Sequence, residues 1–176
     1  MKDKTPCETL YEGRYLSLQL RDGWEYVSRR HQVAVLIAWT PDEELLLVEQ
    51  FRVPLGRRVI ELPAGLVGDE QGLENEELLD AAARELEEET GWRAGTLTEI
   101  MRCPTSAGMS DESVMFVLAE DMIKVGRGGG DDTEDIVVHR VRKAIINQWL
   151  AERQAHGLGI DPKIYTALYW SLKGTP

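Results

Sequence analysis

The sequence predicts a layered α/β or α+β domain, and three observations predict it. Strand signals fill the first forty residues or so, one amphipathic helical stretch follows a Pro- and Gly-containing loop, and two further helical stretches close the chain. At 176 residues the chain suits one domain, and folding should bury about two-thirds of its unfolded surface. No internal repeat, low-complexity tract or collagen-like period interrupts it.

Each element has its own signal. Residues 15–20 alternate, with Leu16, Leu18 and Leu20 on one face. Asp22-Gly23 then makes a hairpin turn, since Gly accepts positive φ without strain, and residues 24–29 return. Residues 33–39 are a continuous apolar run, suited to a strand buried on both faces. Thr40-Pro41-Asp42 turns the chain into a second buried strand over 45–48. A loop with Pro54, Gly56, Pro63 and Gly65 precedes a helix over 75–90, where Leu79, Ala82, Ala83 and Leu86 share one face. Asn75 is its expected N-cap, Glu76 and Glu77 fill the acidic first turn, and Gly91 stops it. Strands resume at 97–102, 114–118 and 136–141, and helices at 143–154 and 163–172, the last begun by Asp161-Pro162. Trp149 and Trp170 lie on apolar helix faces and are assigned to the core. The Gly- and Asp-rich stretch 126–132 reads as a mobile loop.

Composition narrows the function. A net charge of -11 argues against a broad nucleic-acid surface, which needs clustered Lys and Arg. An anionic substrate remains admissible where bound metal ions reverse the local sign. Cys7 and Cys103 stand far apart and in no CxxC pattern, so neither a disulfide framework nor a zinc site is expected. No apolar run follows the N-terminal residues, and the longest such run, 33–39, is too short for a bilayer. A cytoplasmic protein with no membrane partner is the expectation.

The informative stretch is Arg84-Glu85-Leu86-Glu87-Glu88-Glu89-Thr90-Gly91. On a helix Glu85 lies i+3 and i+4 from Glu88 and Glu89, so three carboxylates share a face. Like charges at that spacing cost a few tenths of a kcal/mol each. A water-facing acidic helix and a site for a hard cation such as Mg²⁺ both fit this spacing.

The stretch, continued to Trp92, resembles the second half of the Nudix box, Arg-Glu-U-x-Glu-Glu-x-Gly-U with U bulky and apolar. Glu76 sits eight residues before Arg84, where the box has its first glutamate. The box glycine would fall at position 70, which is Glu70; Gly65 is the best candidate, implying about five extra residues in the loop 67–72. Glu49-Gln50-Phe51-Arg52 followed by Glu61-Leu62-Pro63-Ala64-Gly65 is similar to the ADP-ribose and ADP-sugar pyrophosphatase branch. So are Pro104-Thr105-Ser106-Ala107-Gly108-Met109-Ser110-Asp111-Glu112 and Glu134-Asp135-Ile136-Val137-Val138-His139.

That resemblance implies a mixed-sheet α/β/α sandwich over 33–176 and an N-terminal antiparallel strand region over 1–32 that helps build a homodimer. It implies Mg²⁺, with Mn²⁺ as a substitute, on Glu85, Glu89, the Ala64 carbonyl and Glu134. Arg84 would hold the glutamates, with Glu88 close by. The base that activates water is left among Glu112, Asp132, Glu134 and Glu88; for the first three, an ordinary turn or loop residue is the competing reading. Arg52 matches a phosphate clamp, against the reading of a surface arginine, and Glu61 goes with it on the substrate side. Trp24 matches a ring that stacks on a base, against a core tryptophan.

The implied activity is Mg²⁺-dependent hydrolysis of the diphosphate bridge of ADP-ribose or another nucleoside diphosphate sugar, to a nucleoside monophosphate and a sugar phosphate. Two alternatives stand beside it. One is hydrolysis of dinucleoside polyphosphates or nucleotide triphosphates, disfavoured by the Ala64-Gly65-Leu66 and 104–112 segments. The other is an inactive nucleotide-binding module, disfavoured by retention of Glu85, Glu88 and Glu89.

Overall fold

A computed structural model describes residues 6–69, 72–130 and 135–173. The chain begins with β1 (Glu8–Glu12), β2 (Leu16–Arg21) and β3 (Trp24–Arg29), an antiparallel sheet in that order. Asp22 and Gly23 take φ of 53° and 77°, the paired left-handed residues of the expected hairpin turn. Then come β4 (Val33–Ala38), β5 (Glu44–Arg52), β6 (Arg57–Glu61) and β7 (Ala64–Leu66), followed by α1 (Leu78–Thr90). After α1 the chain runs through β8 (Trp92–Arg93), β9 (Thr96–Pro104), β10 (Ser113–Glu120), β11 (Ile123–Lys124) and β12 (Val137–Arg142). It finishes with α2 (Ile146–Ala155), β13 (Gly159–Ile160) and α3 (Lys163–Lys173).

Two four-stranded sheets form the body, ordered β7-β4-β10-β9 and β12-β5-β6-β13. Both are mixed: β10 runs parallel to β4 and β13 parallel to β6, while the other pairs are antiparallel. The apolar run of β4 serves two cores because side chains alternate across a strand. Ala34, Leu36 and Ala38 face Ala82 and Leu86 of α1, with Leu46 and Val117. Val35 and Ile37 face the other way, with Leu45, Leu47, Ile60 and Phe116, against Ile146 and Leu150 of α2 and Ile164 and Ala167 of α3. Helices therefore cover both faces, giving the α/β/α sandwich with a mixed sheet. Trp149 and Trp170 pack against the α2–α3 core as expected.

The details correct three expectations. The catalytic-helix candidate starts at Leu78, not after Asn75; Glu77 is its extended N-cap and makes no side-chain cap bond. Glu76 lies outside the first turn because its carboxylate is engaged by Arg84 and the Gly68 N–H. The inward face also differs: Ala81 is buried and Ala83 exposed. It is rotated so that Glu85 and Glu89 reach β7. Finally, the described part of the stretch read as mobile is tied down. Gly129 and Gly130 donate N–H groups to the Glu89 and Glu88 carbonyls at 2.8 and 3.1 Å, and Gly126 donates to Gly91 at 3.0 Å. A helix end leaves carbonyls without partners, and this loop supplies them.

Asp161 does begin the last helix, its Oδ1 accepting the Lys163 N–H at 2.7 Å. Among the described residues no helix is long and apolar enough to cross a membrane.

Candidate active site

The site is built where α1 crosses β7. Strand β7 has a glycine at its centre, and a Cβ at Gly65 would overlap the Glu85 carboxyl. Only a glycine lets the Glu85 side chain lie against the strand. One turn on, Glu89 is 2% exposed and accepts the Ala64 N–H at 3.0 Å through Oε2. Burying a carboxylate costs several kcal/mol unless bonds replace its water, so this contact fixes its position.

Arg84 organises the remaining acids. Its Nε and Nη2 donate to the two oxygens of Glu76 at 3.1 and 3.2 Å. Its Nη1 reaches Glu85 at 3.0 Å and Glu88 at 3.1 Å. Arg84 and Glu76 are largely sheltered, with side chains 17% and 7% exposed, while Glu88 is 46% exposed. The guanidinium beside Glu76 holds that carboxyl below its ordinary range; partial burial opposes the shift and the Gly68 N–H adds to it. Gly68 is a site residue that sequence reasoning missed; its φ of +70° and its crowding against the 73–74 carbonyls are what a glycine there answers. Position 70, where the box motif would place its glycine, and the candidate acids Asp132 and Glu134 lie outside the described residues.

Three carboxylates thus meet one guanidinium, with Glu89 held beside them on Ala64, and carboxylate and carbonyl oxygens are the hard donors that Mg²⁺ takes. Among the described residues, no three acidic, His or Cys side chains form a cage by themselves. Mg²⁺ commonly keeps several waters and binds through one or two carboxylates plus substrate phosphates. The residues present fit such an ion.

The C-terminal end of α1 is locked from outside. Gly91, at φ 69°, donates to the Glu87 carbonyl, and its Cβ position is filled by the Gly126 carbonyl. Lys124 Nζ donates to the Thr90 carbonyl at 2.8 Å and lies 5.6 Å from the Trp92 ring centre. Burial pushes the Lys124 pKa down, with Arg140 adding to the effect. A cation at the carbonyl end of a helix also meets the favourable end of its dipole.

Arg52 and Glu61 come together on neighbouring strands, Arg52 Nε donating to Glu61 Oε2 at 2.7 Å. The Glu61 side chain is 11% exposed and that of Arg52 43%. Burial pushes the Glu61 carboxyl up, and Arg52 opposes that shift. Held through Nε, Arg52 keeps the Nη edge of its fork for another group.

Trp24 and Glu112 sit elsewhere, where β3 meets the 104–112 loop. Trp24 is not a core residue: it is 63% exposed and donates its indole N–H to the Gly108 carbonyl at 3.3 Å. It borders a cavity of about 290 Å³ with Tyr26, Ser110 and Asp111. Val27 and Asp111 clamp the loop, through Val27 N–H to Met109 at 2.9 Å, Asp111 N–H to Val27 at 3.2 Å and Ser28 Oγ to Asp111 at 2.9 Å. Glu112 is ion-paired to Arg29 Nε at 2.9 Å. Arg29, Arg30, His31 and Arg102 gather around that acid in a cavity of about 200 Å³. This basic cluster was also missed, although the run Arg29-Arg30-His31 at the end of the Trp24 strand was its signal in so acidic a chain.

The model of the NUDIX domain matches residues 29–158. The chain is similar to the ADP-ribose pyrophosphatase of Bacillus subtilis (strain 168), 40% identical over 132 residues that cover 69% of this chain and 68% of that protein. It is equally similar to the ADP-ribose pyrophosphatase of Mycobacterium tuberculosis, 40% identical over 132 residues, 68% of this chain and 60% of that one. A crystal structure of an ADP compounds hydrolase superposes with a TM-score of 0.66 at 20% identity, covering 83% of this chain and 80% of its own, which establishes a shared fold. With the box glutamates gathered at Gly65 and the domain match spanning most of its length, the chain belongs to the Nudix hydrolase family.

Proposed function

We propose that this chain hydrolyses the diphosphate bridge of ADP-ribose or another nucleoside diphosphate sugar, releasing a nucleoside monophosphate and a sugar phosphate. The observation that carries the reading is the convergence of Glu85 and Glu89 on the Ala64–Gly65 strand, with Arg84 holding the neighbouring acids. The pyrophosphatase names of its relatives support the substrate class.

Glu85, Glu89, the Ala64 carbonyl and Glu134 would hold Mg²⁺, with Mn²⁺ able to substitute. Bound there, the ion supplies charge neutralisation for the diphosphate and a more acidic water. The chain's own residues do the rest. Arg84 keeps Glu85 and Glu88 in register. Arg52, aligned by Glu61, offers a planar fork to a phosphate, which Lys cannot imitate. Trp24 presents an exposed ring for stacking a base. Water adds to one phosphorus as the bridging P–O bond breaks, the bridge oxygen leaves with the other phosphate, and a carboxylate takes the water's proton. Glu112, Asp132, Glu134 and Glu88 are the candidates for that base, and Arg29 Nε lies 2.9 Å from the first of them.

The sheet of β1, β2 and β3 leaves Tyr11, Tyr15 and Leu16 exposed. This supports the division of the chain into a dimer-building region, 1–32, and the hydrolase domain, 33–176.

Product analysis by mass spectrometry with a panel of nucleotide sugars, with and without Mg²⁺, tests the proposal. The expected products are a nucleoside monophosphate and a sugar phosphate, only with the metal. Release of orthophosphate from nucleotide triphosphates, with nucleotide sugars left intact, overturns it.

A further inference from the structure

Between the end of β9 and the first turn of α3 lies a cavity of about 240 Å³. Pro104 and Thr105 bound one side, Lys163 and Thr166 the other, and Val114 and Phe116 form the floor. The floor belongs to the sheet face opposite α1, since Phe116 packs with Ile164 of α3. The two sites nevertheless occupy the same end of one sheet. Gly65 pairs with Ala34, and Ala34 with Met115, so two strand spacings, about 10 Å, separate Gly65 from the floor strand. The loop that leaves Thr105 ends at Glu112, one of the candidate bases.

Size and charge restrict the occupant. The cavity is smaller than the roughly 300–1,000 Å³ that drug-sized ligands occupy, so it suits one ring rather than a base with its ribose. Its one cation is already compensated, with Lys163 Nζ 2.6 Å from Asp161 Oδ2. An added phosphate or carboxylate would therefore find no spare charge. An ammonium has three donors, so Lys163 retains hydrogen-bonding capacity, and Thr105 and Thr166 add hydroxyls that give or accept. The mixed lining matches a neutral polyhydroxylated ring, whose hydroxyls bond to the polar groups while its C–H face lies on the exposed Pro104 and Pro162 rings above the buried Val114 and Phe116.

We propose that this cavity receives the sugar ring of the nucleotide-sugar substrate, with Lys163 and Thr166 as residues that set sugar specificity. The proposal rests on the nucleotide-sugar reading of the active site. Asp161, whose N–H donates to the Ile60 carbonyl at 3.0 Å beside Glu61, ties the pocket to the strand that aligns Arg52.

The test compares wild type with Thr166→Val and Lys163→Met, using ADP-ribose, ADP-glucose and an ADP ester of a simple alkyl alcohol. The ratio of kcat/KM for the preferred nucleotide sugar to that for the alkyl ester is expected to fall about tenfold in each variant, the loss of one hydrogen bond. Product inhibition by the sugar phosphate should weaken by a similar factor relative to inhibition by AMP. Circular dichroism checks the fold, and Thr166→Ser, which keeps the hydroxyl, should restore the ratio if the valine variant misfolds or loses it. An unchanged ratio and unchanged relative inhibition in folded variants overturns the pocket assignment alone. A wild-type enzyme that hydrolyses no nucleotide sugar overturns the functional reading as well, and that result is seen before any variant is made.

Discussion

Glu85 occupies the space that a side chain at position 65 would need, so the carboxylate of α1 and the backbone of β7 are in contact only because residue 65 is glycine. The Gly65→Ala variant must push the carboxyl away from the strand. We expect kcat/KM to fall about 100-fold, with a higher Mg²⁺ requirement, as when a metal ligand loses its support. Steady-state rates across a Mg²⁺ titration, with a melting curve as fold control, check this; wild-type kinetics would refute the contact's role.

Glu89→Gln keeps the shape of the side chain but removes its charge. The amide can still accept the Ala64 N–H, so the protein should remain folded. Turnover is expected to drop about a thousandfold, since several kcal/mol of transition-state stabilisation depend on that charge. Full activity in the folded variant would refute the metal assignment.

Glu61 is expected to act through Arg52, not by touching substrate. In a double-mutant cycle, Glu61→Gln should cost kcat/KM in the presence of Arg52 and almost nothing once Arg52→Ala is in place. Arg52→Lys should lose most of the activity that Arg52→Ala loses, because an ammonium has no fork. Additive losses would show that Glu61 works independently.

Trp24→Ala should raise KM about 10- to 100-fold, the worth of one stacked base, with Tm unchanged because the ring is already 63% exposed. A large fall in Tm with no change in KM would return Trp24 to a packing role.

Acid should dissolve the Arg84–Glu76 link. Arg84 and partial burial act oppositely on Glu76, and the net effect lowers its pKa below the ordinary 4.5. A carboxyl depressed in the folded state contributes stability in full above its unfolded pKa and loses it as pH falls through the folded value. Glu76→Ala should therefore lower Tm by roughly 5 °C at pH 7, from about 2 kcal/mol of charged hydrogen bonding. The gap from wild type should close only below pH 4.5. A gap that persists unchanged in acid would contradict the sign of the shift.

What the sequence determined by itself was whatever is local. Alternation, Asp22-Gly23 and the double-faced apolar run at β4 specified strands, turn and burial, because side-chain period and allowed φ are properties of neighbouring residues. The spacing of Glu85, Glu88 and Glu89 likewise placed them on adjacent turns of one helix. The helix start was misread because Glu76 spends its carboxylate on Arg84 and Gly68, partners eight residues away in either direction, and no local cap rule registers that. The glycine stretch was misread for the same reason: its N–H groups satisfy the carbonyl end of a helix about forty residues earlier. Only the tertiary structure decided which carboxylates turn toward Gly65, that Glu61 aligns Arg52, and that Trp24 faces outward. Each of those outcomes depends on a side chain of one element meeting a side chain or backbone of another, a distance that sequence separation does not encode.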